Sequence, residues 1–226
     1  MEEIPELILI DKPKGITSFD VIRRLRRKLS VKKMGHAGTL DPLATGLMII
    51  GVGRGTKRLT ELAKLDKEYI AEVLIGERRS TGDMEGEVLE EKVVDETAVI
   101  LQNKVTAALE DLIGELALPV SAYSAIKVDG VPMYKRARKA EKNGDVVSEV
   151  PVRKMKVYET ELMGDVQVKD DRAIATIRFR VGSGTYIRSL AENLGQRIGY
   201  PATLQNLRRV KVGDFDISQA QCLDDI

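Results

Sequence analysis

The chain is poor in the residues that carry redox and metal chemistry. Among 226 residues there is one cysteine, Cys222, and one histidine, His36. A lone cysteine excludes an intramolecular disulfide, and with one histidine no ordinary structural zinc site can be assembled. This usage suits a reducing compartment, and a cytoplasmic location is expected. Tryptophan is absent and aromatics make up only 4%, so each tyrosine outside the core stands out. Neither sign of charge dominates: 36 Lys and Arg stand against 35 Asp and Glu, a formal net charge of +1. That balance neither demands nor excludes a nucleic-acid partner, so the distribution of charge has to decide. Long hydrophobic runs are missing too. The run from Leu7 to Ile10 is too short for a signal peptide or a membrane span, and a soluble protein is expected. No internal repeat, heptad run or low-complexity tract is present. The length and the 43% hydrophobic content suffice for one large domain, alone or with a small appendage.

What is present is concentrated in one stretch. Gly35-His36-Ala37-Gly38-Thr39-Leu40-Asp41-Pro42-Leu43-Ala44-Thr45-Gly46 holds three glycines, Pro42, the single histidine and Asp41, and the apolar run Leu47 to Val52 follows. Glycines at this density permit positive φ and close backbone approach. Pro42 lacks a backbone donor and holds Asp41 in extended geometry, which argues against a helix. The pattern predicts a rigid loop leading into a buried strand, with Asp41 at its tip. Composition alone leaves two readings open. Asp41 is a loop-borne catalytic carboxylate, or it caps backbone amides in an Asp-Pro turn.

Around this loop the chain reads as alternating strands and helices. Leu7 to Ile10 predicts a short strand. Ser18 predicts the cap of a helix through Leu29, with Val21, Ile22, Leu25 and Leu29 on one face. Its other face and the following loop carry Arg23, Arg24, Arg26, Arg27, Lys28, Lys32 and Lys33 with no acid after Asp20, which favours an anionic partner, RNA first. Ile70 to Gly76 alternates as a strand, with Tyr69 at its start either a core aromatic or a site residue. Residues 87 to 97 predict an exposed strand and turn, and about Glu96 to Leu112 a helix stopped near Gly114. Pro151 to Leu162 and Arg172 to Val181 predict two further strands, and a helix ends near Gly199. Gly51-Val52-Gly53-Arg54-Gly55 superficially suggests a nucleotide-binding loop. Its spacing fails both the dinucleotide and the Walker patterns, so a strand-to-helix turn is the better account.

The Gly35 to Gly46 stretch resembles the catalytic motif of the TruB family of tRNA pseudouridine synthases. Further segments share the resemblance: Lys12-Pro13-Lys14-Gly15-Ile16-Thr17-Ser18, Lys67-Glu68-Tyr69, Ser80 to Gly86, Pro119 to Gly130, Gly184-Thr185-Tyr186-Ile187-Arg188 and Leu207-Arg208-Arg209. Together they run from Lys12 to Arg209. The sequence departs from the family pattern at Gly82, at Leu118 and in the Pro119–Tyr123 spacing. The resemblance implies an α/β (α+β) fold with a mixed, largely antiparallel sheet, flanking helices and a central cleft. It implies isomerisation of uridine to pseudouridine in the T-loop of tRNA, without cofactor or metal. Asp41 is the implied nucleophile, paired with Arg188 in a bidentate contact, and Tyr69 stacks on the target base. His36, Tyr186, Leu207, Lys12 and Asp83 are the implied substrate-binding residues. Residues 1–226 are expected to form one catalytic domain with an RNA-clamping insertion at about 117–147, where Lys127, Lys135, Arg136, Arg138 and Lys139 suit a phosphate backbone. The small C-terminal RNA-binding domain usual in bacterial relatives is not visible after Arg209. The expected partner is the tRNA T-arm, with the protein a monomer and no membrane involved. A non-catalytic RNA-binding or RNA-folding protein using the same basic cleft is the alternative. The joint presence of Asp41, Tyr69 and Arg188 argues against it.

Overall fold

The computed structural model describes residues 4–124, 126–143 and 150–225. Ala125, Gly144 and Asp145 of the expected clamp, with the side chain of Glu141, lie outside the described residues. In the N-terminal half the elements are β1 (Leu7–Lys12), α1 (Ser18–Leu29), β2 (Met34–His36), β3 (Thr45–Val52), α2 (Leu59–Leu62), β4 (Lys67–Ile75), β5 (Glu77–Arg79), β6 (Val88–Glu91) and α3 (Ala98–Glu110). Then follow β7 (Gly114–Pro119), β8 (Lys127–Val128), β9 (Val131–Pro132), α4 (Met133–Lys142), β10 (Val152–Leu162), β11 (Gln167–Lys169), β12 (Arg172–Val181), α5 (Ile187–Ile198), β13 (Ala202–Val212), β14 (Phe215–Asp216) and β15 (Gln221–Cys222).

One sheet of 11 strands organises these elements, in the order β15-β1-β3-β13-β4-β12-β10-β7, with β2, β11 and β14 paired at its flanks. It is mixed and largely antiparallel, as expected; among the described residues only the β1–β15 and β3–β13 strand pairs are parallel. The alternating sequences of β4 and β12 fold as their pattern dictates. Ala71, Val73 and Ile75 pair with Ile177, Ala175 and Ala173 on the buried face. β3 reads as a continuous apolar run because it is buried on both faces. Met48 and Ile50 enter the main core, whereas Leu47 and Ile49 meet Ala37, Leu62 and Val212 on the other side.

Helix α1 covers the main core with Val21, Ile22 and Leu25. Its cap is Thr17 and not Ser18. Thr17 and Asp20 form a reciprocal capping box, and Ser18 is drawn inward, where its hydroxyl donates to Leu40 O and accepts from Leu40 N, both at 2.8 Å. Two adjacent cap-type residues have thus divided the work, one local and one tertiary. Gly35 and His36, expected in the loop, belong to β2 and pair with Gly51 and Ile50. In α3 the buried residues are Leu101, Val105, Ala108 and Leu109, while Val99 and Ile100 face solvent. The Gly51 to Gly55 stretch is a strand end entering a 3-10 turn, as its spacing required.

Candidate active site

The loop between β2 and β3 carries Asp41, and four contacts fix its backbone. Arg209 Nη2 donates to Gly38 O at 3.2 Å, Ser18 holds Leu40, and Gly15 N donates to Pro42 O at 2.8 Å. Lys12 Nζ supplies the fourth, donating to Pro42 O at 3.4 Å and to the carbonyls of Ile16 (2.7 Å) and Pro13 (2.9 Å). At the loop's far end Gly46, at φ +105, lies so close to β13 that a Cβ there would stand 2.3 Å from Arg209 O. The contact leaves no room for any other residue. The expected rigid loop is therefore a clasped one, with the Asp41 side chain left 42% exposed.

Helix α5 delivers the partner. Its first turn follows the Gly182–Thr185 turn, and its last is closed by Gly199 in the left-handed conformation. Arg188, buried in this first turn, brings Nη2 to 3.0 Å from Asp41 Oδ2. The anticipated bidentate pair is replaced by a shared one. Nη1 turns to Asp83 Oδ2 at 3.4 Å, to Thr81 O at 2.8 Å and to Ser121 Oγ at 3.4 Å. One guanidinium thereby bridges a half-exposed carboxylate and a buried one. Asp83 is fixed in turn by Thr81 Oγ1 (2.6 Å) and Glu85 N (3.1 Å) at its Oδ1.

Asp41 and Arg188 stand at the junction of two cavities. The first, of about 280 Å³, is walled by Tyr69, Tyr186, Leu207, Lys67 and Arg209 along with the Gly182–Thr185 turn. That size is close to the lower end of small-ligand pockets, about 300 Å³. The second, of about 450 Å³, lies beyond the loop between His36, Phe19, Asp83, Tyr123, Tyr134 and Arg138. Five expected site residues, Asp41, Tyr69, Tyr186, Arg188 and Leu207, are thus brought to one cavity, while His36 and Asp83 border the other.

Two of the expected substrate contacts are buried. Lys12 is fully buried and its ammonium donates to three carbonyls, which clasps the loop. Asp83 is 2% exposed, and its carboxylate meets Arg188 and its own turn. Motif resemblance marks such positions without revealing their depth. Arg209, Lys67, Thr81 and Ser121 all lie within the resembling segments, but the resemblance implies no roles of their own for them.

Burial sets the protonation landscape. It lowers Lys12 from 10.5 to about 8, against an opposing pull from Asp41, and lowers Lys67 to about 8, helped by Arg209. His36 is pushed down by burial and then by Arg209, which favours the neutral imidazole. Glu85 is pushed up by burial and by the neighbouring Asp83 and Asp41. Tyr186 is raised, chiefly by burial. Among the described residues no group of three or more His, Cys, Asp or Glu side chains is placed to hold a metal ion, and no helix is long and apolar enough to cross a membrane.

Known proteins share this fold. The solved structure of a Cbf5-Nop10-Gar1 complex matches 97% of the chain at a TM-score of 0.68 and 24% identity, and that of an archaeal box H/ACA sRNP Nop10-Cbf5 complex matches 97% at 0.65 and 25%. This chain spans about half of each, 52% and 51%, so the first likeness establishes the fold alone. Sequence relatives are nearer. A Corynebacterium diphtheriae protein named tRNA pseudouridine synthase B is 39% identical over 220 residues, covering 96% of this chain and 71% of its own. An Opitutus terrae protein of the same name is 41% identical over 225 residues, covering 100% and 88%. The pattern of the TruB family pseudouridylate synthase N-terminal domain matches residues 26–187, which include the Asp41 loop and Tyr69 and stop one residue short of Arg188. With the loop, the fold and the relatives in agreement over most of its length, the chain belongs to the TruB family of pseudouridylate synthases.

Proposed function

We propose that the protein converts uridine to pseudouridine in the T-arm of tRNA, with Asp41 as nucleophile, Arg188 holding it and Tyr69 receiving the extruded base. The observation that carries this reading is Asp41 itself, an accessible carboxylate on a clasped loop, 3.0 Å from a buried arginine and open to a cavity with a tyrosine wall. A protein that only binds RNA gains nothing from a carboxylate aimed at a polyanion.

The reaction breaks the C1′–N1 bond and rejoins the ring through C5. The electron pair of the broken bond leaves with the base, C5 attacks C1′ and loses its proton, and N1 takes one up. As nucleophile, the Asp41 carboxylate bonds to C1′ as the base leaves and is displaced, again as carboxylate, when C5 attacks C1′; the shared Arg188 fixes its rotamer. The target must leave its stack, at a cost of roughly a few kcal/mol; stacking on Tyr69 offsets about 1–3 kcal/mol of that. His36, neutral and on the far side of the loop, suits a wedge or a stacking surface better than an acid or base. The β8–β9 hairpin and α4 sit apart from the large sheet and bring Tyr134 and Arg138 to the second cavity, which supports a clamping role for about 117–147.

Conversion of a T-arm stem-loop transcript by wild type and Asp41→Asn, read with a pseudouridine-specific label, tests the proposal. Product from wild type, none from Asp41→Asn and similar RNA affinity in both are expected. Binding without product from either protein would refute it.

A further inference from the structure

The charged side chains buried in this protein are unbalanced. Lys12, Lys67, Arg188 and Arg209 are buried cations, whereas only Glu77 and Asp83 are buried acids among the described residues. Glu77 serves Arg79 and Arg172, away from the cavities. Arg188 has Asp41 and Asp83, and Lys12 is surrounded by carbonyls. Lys67 and Arg209 remain. Neither forms an ion pair with any described carboxylate, and both line the cavity that holds Asp41 and Tyr69.

The sheet puts them side by side. Arg209 of β13 is in register with Tyr69 of β4, and Lys67 lies two residues before Tyr69, on the same face of that strand. Each is anchored without being used up. Lys67 Nζ donates to Ala63 O at 2.6 Å and to Leu65 O, which leaves a third proton. Arg209 donates from Nε to Leu47 O at 2.7 Å and from Nη2 to Gly38 O, and Nη1 has no protein acceptor among the described residues. Burying two like charges together without a counter-ion is costly. Carbonyl dipoles offset part of that cost, and the remaining positive charge lies in the cavity wall.

We infer that Lys67 and Arg209 form an anion-stabilising floor for the uracil that departs when the C1′–N1 bond breaks. This inference rests on the isomerase reading. As that bond opens, its electron pair goes to N1 and spreads onto O2 and O4, and no other group in the cavity supplies uncommitted positive charge. A fixed positive potential where charge develops lowers the barrier without reorganisation. It acts on the base, whereas Asp41, held by Arg188 at 3.0 Å, acts as the nucleophile. Lys67 and Arg209 are thereby assigned as catalytic residues, in addition to their hold on the Ala63–Leu65 turn and the Gly38 loop.

The test compares a T-arm stem-loop carrying uridine at the target with one carrying 4-thiouridine, whose thiocarbonyl makes the ring a better leaving group and leaves C5–H in place. Single-turnover rates at saturating RNA are measured for wild type, Lys67→Gln, Lys67→Arg, Arg209→Gln and Arg209→Lys, with RNA affinity measured separately. Removing either charge should slow uridine conversion by ~10²–10³-fold at unchanged affinity, and should slow 4-thiouridine conversion clearly less. Lys67→Arg and Arg209→Lys keep the charge but not the hydrogen-bond geometry, and should recover part of the uridine rate lost in the neutral variants. Equal slowing of both substrates, or no slowing from either neutral variant, would overturn the inference, since a role confined to holding loops is blind to the leaving group. Each position carries a neutral and a charged replacement, so a folding defect in one variant leaves the other position to decide. Wild type that converts neither substrate would instead sink the isomerase reading itself.

Discussion

Replacing Asp83 by asparagine tests how much of the site depends on the buried carboxylate behind Arg188. Its carboxylate and the Arg188 guanidinium are 3% and 7% exposed and 3.4 Å apart. At an effective dielectric of about 20, two unit charges at that distance attract by about 5 kcal/mol. Asparagine keeps an oxygen for Thr81 and Glu85, so the turn survives and mainly the charge is lost. Breaking one side of a buried pair costs ~3–5 kcal/mol. Arg188 retains Asp41 at 3.0 Å, which places Asp83→Asn at the lower end, about 3 kcal/mol of stability. The urea midpoint should fall with an unchanged slope, and the melting temperature should drop by about 6–12 °C at ~2–4 °C per kcal/mol. Combined with Arg188→Met, the losses should fall short of additive by ~1–2 kcal/mol, because the double variant no longer buries an uncompensated charge. A destabilisation of Asp83→Asn within about 0.5 kcal/mol, the range of an ordinary surface change, would mean that Asp83 does not hold the guanidinium.

Gly46→Ala should be among the most damaging single-methyl changes in the chain, by more than ~2 kcal/mol, because φ +105 and a backbone oxygen 2.3 Å from the new Cβ both oppose it; a wild-type melting curve would contradict the close packing of β3 on β13. Stability should also respond to pH through the buried lysines. Lys12 and Lys67 titrate at about 8 in the fold against 10.5 ordinarily, so between those values the unfolded chain binds more protons and their contribution rises with pH. Below about pH 8 both states are protonated and the cost of burying the ammonium groups is fully present. Urea unfolding from neutral to alkaline pH should show this upward contribution, and Lys67→Met should remove about half of it; equal pH slopes in the two proteins would refute it.

Much of the fold was legible because the sheet is built from strands that obey their periods. β4, β10 and β12 emerge from alternation, β3 from its continuous apolar run, and α5 from its closing glycine. β13 was not anticipated as a strand, for a physical reason. Gln205, Asn206, Arg208 and Arg209 occupy its middle because it floors the site, and its pairing with β4 shifts register twice, between Leu204 and Asn206 and between Arg209 and Lys211. Both effects erase alternation where function enters. β7 escaped notice because it is a short outer strand with mixed exposure. In the site, the motifs anticipate that Asp41, Tyr69 and Arg188 meet at one cavity. They do not anticipate the burial of Lys12 and Asp83, since depth is a property of the assembled sheet and leaves no trace in a side chain's type.

The central place of β13 also sets a timetable. This strand, made after β1, β3, β4, β10 and β12, inserts between β3 and β4. Until it emerges from the ribosome, the inner edge of β4 has no neighbour along nine pairing positions, and Leu207 and Arg209 are missing from the cavity. At ~5–20 residues per second this interval lasts on the order of 10 s. An open strand edge for that long invites pairing with other chains until β13 covers it. Catalytic competence and protection from aggregation then arrive together, with the same strand.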